Sequence, residues 1–387
     1  MIRIVEEHYS YPLALQIQRA NLWLIALNVL YYEEPRYLRG GVSNVAYYLP
    51  KSLSKKVNLT YFPYFMPKES YMLNILNIYA KFVKKEFGII HFNLVPSWIN
   101  GGYMLLRFAK IREAHTVLNV HGIIQLEHKA EPAMGSIPPK VLSNALSSCK
   151  FVDRIVVNSE YMRNNVVTWY GINRHKIVVI PNGVDMRKFH ERDDQLALDG
   201  DPAILYLGRL SRIKGVDVLI QAIAKLRSEL PNIKLHLVGS GYMSDFQLIV
   251  KEKKMEKFVV FHGWAPDSMV PHYYKSADVL VFPSRYEPFG IVILEAMASG
   301  APIIASNAGG IPEILSNGEN GILFKSSDAD ALSKAILALH QDNNLKKKII
   351  QGALKTVAKY SWDNVAERYV SLYENLCQRN RYVGNRS

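Results

Sequence analysis

The strongest constraint on the fold is an alternation. Short runs rich in β-branched and aliphatic residues recur along the chain, each followed by a longer amphipathic stretch. Such runs occupy residues 22–31, 57–64, 89–92, 116–120, 154–157 and 176–180, then 203–207, 234–238, 258–262, 279–282, 303–306 and 321–324. Strands covered on both faces read as unbroken apolar segments, and the amphipathic stretches between them are the helical crossovers that parallel neighbours require. Each set of six predicts one doubly wound α/β sheet. A chain of 387 residues also exceeds what a single core usually supports. The predicted organisation is a first Rossmann-like domain over 1–190, a linker over 191–202 that is acidic and rich in Asp and Gly, a second such domain over 203–360, and a helix and tail over 361–387. Within the last domain the periodicity predicts continuous helix from Asp328 to about Tyr360, and Ser361-Trp362-Asp363 opens the final helix with a capping residue. Two such sheets facing one another place the carboxyl ends of their strands at a shared cleft, where ligands of this fold class bind.

Composition narrows the function classes. Cys149 and Cys377 are the only cysteines, which excludes a disulfide scaffold and a zinc site built on four thiolates. A reducing, cytoplasmic compartment is expected. The apolar stretch from Leu22 to Tyr32 is half the roughly 20 residues a membrane span needs, and Glu33-Glu34-Pro35-Arg36 follows without a small-residue cleavage site, so it reads as a strand. Net charge is +13, and it is uneven: residues 1–190 hold 23 Lys and Arg against 12 Asp and Glu, the remainder 24 against 22. The basic first half calls for an anionic partner, whether nucleic acid, a phosphorylated small molecule or an acidic membrane surface. No nucleic-acid-binding motif accompanies it, so nucleic acid is not expected.

The densest chemical signal is Phe282-Pro283-Ser284-Arg285-Tyr286-Glu287-Pro288-Phe289-Gly290, between a strand and a helix over 291–299. Proline and glycine forbid helix before residue 290 and good helix formers follow. The amides of Phe289, Gly290, Ile291 and Val292 should therefore face the cleft, where a helix start suits phosphate or sugar oxygens. Glu287 and Glu295 stand eight residues apart. On one continuous helix that is about 12 Å, too far for the ~5 Å carboxylate pair of a retaining glycosidase, so they are two separate contacts. Either taken alone reads equally well as a solvated surface acid. The second signal is Gly208-Arg209-Leu210-Ser211-Arg212-Ile213-Lys214-Gly215, where a strand empties into a loop carrying two cations. Arg209 as a fork and Lys214 as a point charge can converge on a diphosphate.

Taken in order, Gly208-Arg209 with Lys214-Gly215, Gly239-Ser240-Gly241, Glu287 with seven residues to Glu295, and Ala308-Gly309-Gly310-Ile311-Pro312-Glu313 resemble the retaining glycosyltransferases of family four. The resemblance covers nearly all of residues 203–325. It implies the GT-B fold, two facing Rossmann-like domains with an interdomain cleft and a C-terminal helix crossing back, and a UDP- or GDP-sugar donor. Carried over by position, it places Arg209 and Lys214 on the donor diphosphate, Glu287 on sugar hydroxyls, Glu295 on the ribose, and the amides of the Phe289-Gly290-Ile291 turn on the transferred sugar. Gly239 belongs to a G-x-G that is weak by itself. In the first half, Arg39-Gly40-Gly41-Val42-Ser43-Asn44 and Asn119-Val120-His121-Gly122 resemble the family's glycine loop and its sugar-facing histidine. A tight strand-to-helix turn would require Gly40 and Gly41 just as well. Residues 1–20 precede the family pattern, the loops 64–71 and 127–139 match nothing in it, and Arg39 in place of lysine counts against a glucan polymerase.

The implied reaction moves a hexose to a glycan, glycolipid or lipid-linked acceptor with retention. The departing diphosphate, stabilised by the two cations, takes the acceptor's proton, Glu287 positions the sugar, and no metal or other cofactor is obligatory. Lys51, Lys55, Lys56, Lys68, Lys81, Lys84 and Lys85, interleaved with aromatics over 61–65, fit peripheral contact with an anionic membrane on its inner face. The alternative on the same architecture is a nucleotide-sugar 2-epimerase, which would convert the donor without an acceptor.

Overall fold

The computed structural model describes residues 27–33, 41–63, 87–93, 102–131, 136–190 and 196–384. Two six-stranded, all-parallel sheets form its centre. The front lobe carries β1 (Asn28–Glu33), β2 (Asn58–Pro63), β3 (Ile89–Phe92), β4 (His115–Val120), β5 (Arg154–Val157) and β6 (Ile177–Val179), in the order β2-β1-β3-β4-β5-β6. The rear lobe carries β7 (Ala203–Leu207), β8 (Lys234–Val238), β9 (Val259–Gly263), β10 (Val279–Phe282), β11 (Ile303–Ser306) and β12 (Ile322–Phe324), in the order β12-β11-β10-β7-β8-β9. Each of the twelve apolar runs contains a strand, and eleven of them lie within a few residues of their predicted bounds. The runs are continuous because the strands are covered on both faces: β3, β10 and β11 are buried at every position. The strand order reverses between β1 and β3 and again between β7 and β10, and ligands of such sheets bind at the carboxyl ends of these switch points.

Two local outcomes differ from the sequence expectation. The helical stretch predicted from Asp328 to about Tyr360 is two helices, Ala329–Gln341 and Asn343–Val357, followed by a 3-10 turn. Asp342 separates them. Its carboxylate accepts from the amides of Asn344 and Leu345, both at 2.9 Å, because a short acidic side chain in Asp-Asn-Asn caps a new helix better than it continues an old one. The first strand begins at Asn28, and the predicted residues 22–26 lie outside the described ones. Asn28, which interrupts the apolar run, accepts a hydrogen bond from Asn58 Nδ2 on β2 at 2.7 Å.

The final helix, Trp362–Gly384, leaves the rear lobe and packs on the front lobe beside the helix Gly41–Leu53. Trp362 stacks on Tyr48, and Tyr369, Tyr373 and Leu376 are buried. Tyr373 Oη lies 2.6 Å from His91 Nδ1, and burial lowers that histidine to about 3, so a neutral ring and the phenol share this hydrogen bond. One apolar cluster runs from Val29 and Leu49 through Val184, Phe189 and Trp362 to Phe289 and Leu294, which fixes the two lobes across their base.

Candidate active site

In the rear lobe two loops after adjacent strands are fused by backbone contact. Gly215 has φ +72°, and a Cβ there would sit 1.9 Å from Pro283 O, so only glycine lets the 208–215 loop lie against the one after β10. Arg285 N donates to Ile213 O at 2.8 Å, and the Arg285 guanidinium grips Asp217 at 2.7 and 2.8 Å. This fused block sets Lys214 Nζ 2.8 Å from Glu287 Oε2. Gly290, at φ +102°, precedes the helix Ile291–Ser299, whose N-terminus has no side-chain cap, and a helix start of that kind presents its first amides to a ligand. The Phe289 and Ile291 side chains are buried, so this turn can meet a substrate only through its backbone. Gly239 is occupied differently from expectation. Its amide donates to Gly263 O at 2.7 Å and its Cα lies against Gly208 O, so it packs two loops together and has no donor group left for a ligand.

Across the cleft, His121 follows directly on the end of β4. His121 Nε2 lies 2.9 Å from Asn93 O, and a carbonyl can only accept, so the proton sits on Nε2 and Nδ1 is an acceptor. Burial lowers His121 to about 4, and the ring is neutral at physiological pH. Its support is a relay: Tyr369 Oη donates to Asn119 Oδ1 at 3.0 Å, and Asn119 Nδ2 donates to Asn93 Oδ1 at 2.9 Å. The glycine-loop helix starts at Gly41, whereas Gly40 lies outside the described residues.

The lobes meet through polar contacts as well as the apolar base. Arg209 pairs at 3.2 Å with Glu131, which is 3% exposed at the end of the front-lobe helix Ile124–Ala130. Ile123 N donates to Tyr286 Oη at 3.2 Å. Glu127, from the same short helix, is raised by burial while Lys214 and Arg209 pull it back down, which places its carboxylate in the same charged cluster. Arg209, Lys214, Glu287, Glu127 and Glu131 therefore converge. Glu295 does not join them. It is 7% exposed, accepts from Asn44 Nδ2 at 2.9 Å and Tyr274 Oη at 3.3 Å, and adjoins a cavity of about 10 Å³, room for one water, bordered by Gly183, Lys188 and Trp362. Burial raises Glu295 to about 7. Sequence reasoning missed Glu131, Glu127, Asn93 and Arg285. The only available signal was the i, i+4 spacing of Glu127 and Glu131 just after His121-Gly122. Among the described residues no group of three His, Cys, Asp or Glu side chains is arranged to hold a metal ion.

Two Rossmann-like lobes facing one another over a cleft lined by paired cations, an open helix start and a buried histidine define the GT-B architecture. Two family models match consecutive halves: Glycosyltransferase Family 4 over residues 39–188 and Glycosyl transferases group 1 over residues 188–356. The chain belongs to these glycosyltransferases. A glycosyltransferase of Methanocaldococcus jannaschii is 35% identical over 238 residues, covering 57% of this chain and 60% of that protein. A D-inositol 3-phosphate glycosyltransferase of Corynebacterium kroppenstedtii is 27% identical over 329 residues, covering 79% of this chain and 71% of that one. The fold is shared with sucrose-phosphate synthase from Thermosynechococcus elongatus (TM-score 0.73, 22% identity, 90% of this chain and 98% of that one). It is shared equally with Anabaena HepE in complex with UDP and glucose (TM-score 0.71, 20% identity, 90% and 99%).

Proposed function

We propose that this glycosyltransferase moves a hexose from a nucleotide-diphosphate sugar, UDP-linked or GDP-linked, to a glycan, glycolipid or lipid-linked acceptor, retaining the anomeric configuration. The observation that carries the reading is the convergence of Arg209 and Lys214 with Glu287 beside the open helix start at Gly290, opposite His121. UDP in the HepE complex, a protein of the same fold, supports a uridine donor.

Breaking the C1–O bond loads negative charge on the diphosphate, and two fixed cations plus the first amides of a helix stabilise that charge as it forms. Both cations pair with carboxylates, Lys214 with Glu287 and Arg209 with Glu131. Donor binding exchanges these partners. The diphosphate takes Lys214, and Glu287, released in place, accepts hydrogen bonds from the sugar hydroxyls. Neutral His121, with Nε2 committed to Asn93, holds Nδ1 toward a hydroxyl as an acceptor. The departing phosphate oxygen receives the acceptor's proton on the face it leaves, so Glu287 orients the sugar without bonding to C1. Glu295 already accepts from Asn44 and Tyr274, one bond on each oxygen, and keeps a further lone pair on each for the ribose hydroxyls.

The finer reading, an acceptor presented at an anionic membrane by the basic half of the chain, rests on the charge asymmetry. No helix among the described residues is long and apolar enough to cross a membrane. Lys55 and Lys56 direct their charge at Asp363 and Glu367 of the final helix, leaving Lys51 to represent that cluster, and residues 64–86 lie outside the described ones. Flotation with acidic liposomes at low and high salt decides it; no salt-sensitive binding ends the idea.

A panel of UDP-, GDP- and ADP-sugars tests the main reading by thermal stabilisation, because a ligand at 100 times its dissociation constant adds about 2.7 kcal/mol. Glu287→Ala should lower turnover on the order of tenfold or more without unfolding the protein. Full activity in that variant removes Glu287 from the site. Conversion of the donor in the absence of acceptor favours the 2-epimerase instead.

A further inference from the structure

The motif Ala308-Gly309-Gly310-Ile311-Pro312-Glu313 has no part in the chemistry above, yet it makes the most direct polar bridge between the lobes. Glu313 belongs to the rear lobe. Its two carboxylate oxygens accept from the amides of Glu160 and Tyr161 at 2.8 Å each, the first amides of the front-lobe helix Glu160–Tyr170. Those amides have no partner inside their own helix, and a carboxylate there also meets the positive end of the helix dipole. The cap residue of the same helix, Ser159, donates its hydroxyl to Pro288 O at 2.6 Å and accepts from Met162 N at 3.1 Å.

These contacts reach the loop expected to hold the sugar. Gly310 N donates to Glu287 O at 2.9 Å. A Cβ on Gly309 would lie 2.0 Å from Glu287 O, and one on Gly310 would lie 2.5 Å from Pro288 O and 3.1 Å from Ser159 Cβ. Three backbones are thus stacked without side chains between them: the turn ending at Glu313, the Glu287-Pro288 segment, and the front-lobe cap. Parting the lobes breaks both Glu313 bonds and the Ser159 bond together, and removes what presses Pro288 against the turn.

We propose that Glu313 is a positioning residue that, by capping the front-lobe helix, holds the Glu287–Gly290 loop in its transfer geometry, so that closing the lobes and completing the sugar site are a single step. The role in transfer rests on the donor reading above; the mechanical link does not.

Hydrogen exchange on the full-length protein reads the link directly. In Glu313→Ala without ligand, amides of residues 160–163 and of residues 286–291 should exchange faster together, on the order of tenfold. With UDP-glucose the variant should keep the wild-type UDP dissociation constant within a fewfold, since Arg209 and Lys214 are untouched, while turnover measured as UDP release falls on the order of a hundredfold, the cost of a misplaced group. Ser159→Ala should move the same readouts less, and the double variant should be less than additive, because the two side chains hold neighbouring positions of one helix start. Should Glu313→Ala not fold, Ser159→Ala carries the same measurements with the rear lobe unaltered. Faster exchange confined to 160–163, with 286–291 at the wild-type rate, or an unchanged kcat, overturns the proposal. Failure of wild-type protein to bind UDP or GDP removes the donor reading, while the ligand-free exchange comparison still decides the link.

Discussion

Glu287 and Glu295 come from one short motif and have opposite surroundings. Glu287, in the loop, faces a cation at 2.8 Å. Glu295, one turn into the helix, faces an amide and a phenol, and burial raises it to about 7. A carboxylate beside a cation at the cleft can exchange that partner for a ligand, whereas a buried one is penalised for ionising, here only partly offset by Lys188 and by its two neutral donors. The comparison separates a group poised for exchange from a group that records how tightly the cleft is shut.

Removing the cation should give the largest effect. On the proposed donor reading Lys214→Ala leaves the diphosphate charge with one side chain fewer, and turnover should fall on the order of a hundred- to a thousandfold with little change in melting temperature. Wild-type turnover would dissolve the contrast, since Glu287 would then be a plain surface acid. Glu295 has the next largest effect, on stability. Its folded value lies above the unfolded one of 4.5, so its contribution is complete below about pH 4.5 and is lost as pH rises through about 7. Glu295→Gln should remove roughly 3 kcal/mol of that pH dependence in urea titrations at pH 5 and pH 9. Parallel pH slopes in wild type and variant would show that Glu295 is not penalised. Glu131→Gln comes third. It releases Arg209, and UDP affinity by calorimetry should rise severalfold, about 1 kcal/mol for a pair with one partner half-exposed. An unaltered affinity means that the pair does not compete with the donor. At the bottom is Lys55 with Asp363, 58% and 57% exposed, where Asp363→Ala should cost less than about 0.5 kcal/mol.

Much of the fold was legible because strand burial leaves a direct trace: β3, β10 and β11 are covered on both faces and their sequences carry no polar alternation. The break at Asp342 was written in Asp-Asn-Asn but outweighed by the apolar periodicity on either side. The rear-lobe site was legible for a related reason, since Arg209, Lys214, Glu287 and Gly290 lie on two loops whose glycines and prolines advertise them. The front-lobe half was not. Glu131 is 78 residues from Arg209, and Asn93 is 28 from His121, so nothing in local spacing announces either contact. Gly239 shows the converse: a G-x-G suggests a phosphate, and the structure uses it to bring two loops into contact.

The final helix has a consequence for the order of assembly. Tyr369 is the outermost support of His121, through Asn119 and Asn93, and Tyr373 reaches His91 in the same lobe. The supported residues are translated well before the phenols: Tyr369 follows Asn119 by 250 residues and Tyr373 follows His91 by 282. On the ribosome the front lobe can therefore collapse early around an imidazole that still lacks its brace. The imidazole gains that brace only when the final helix has emerged and docked on the front lobe.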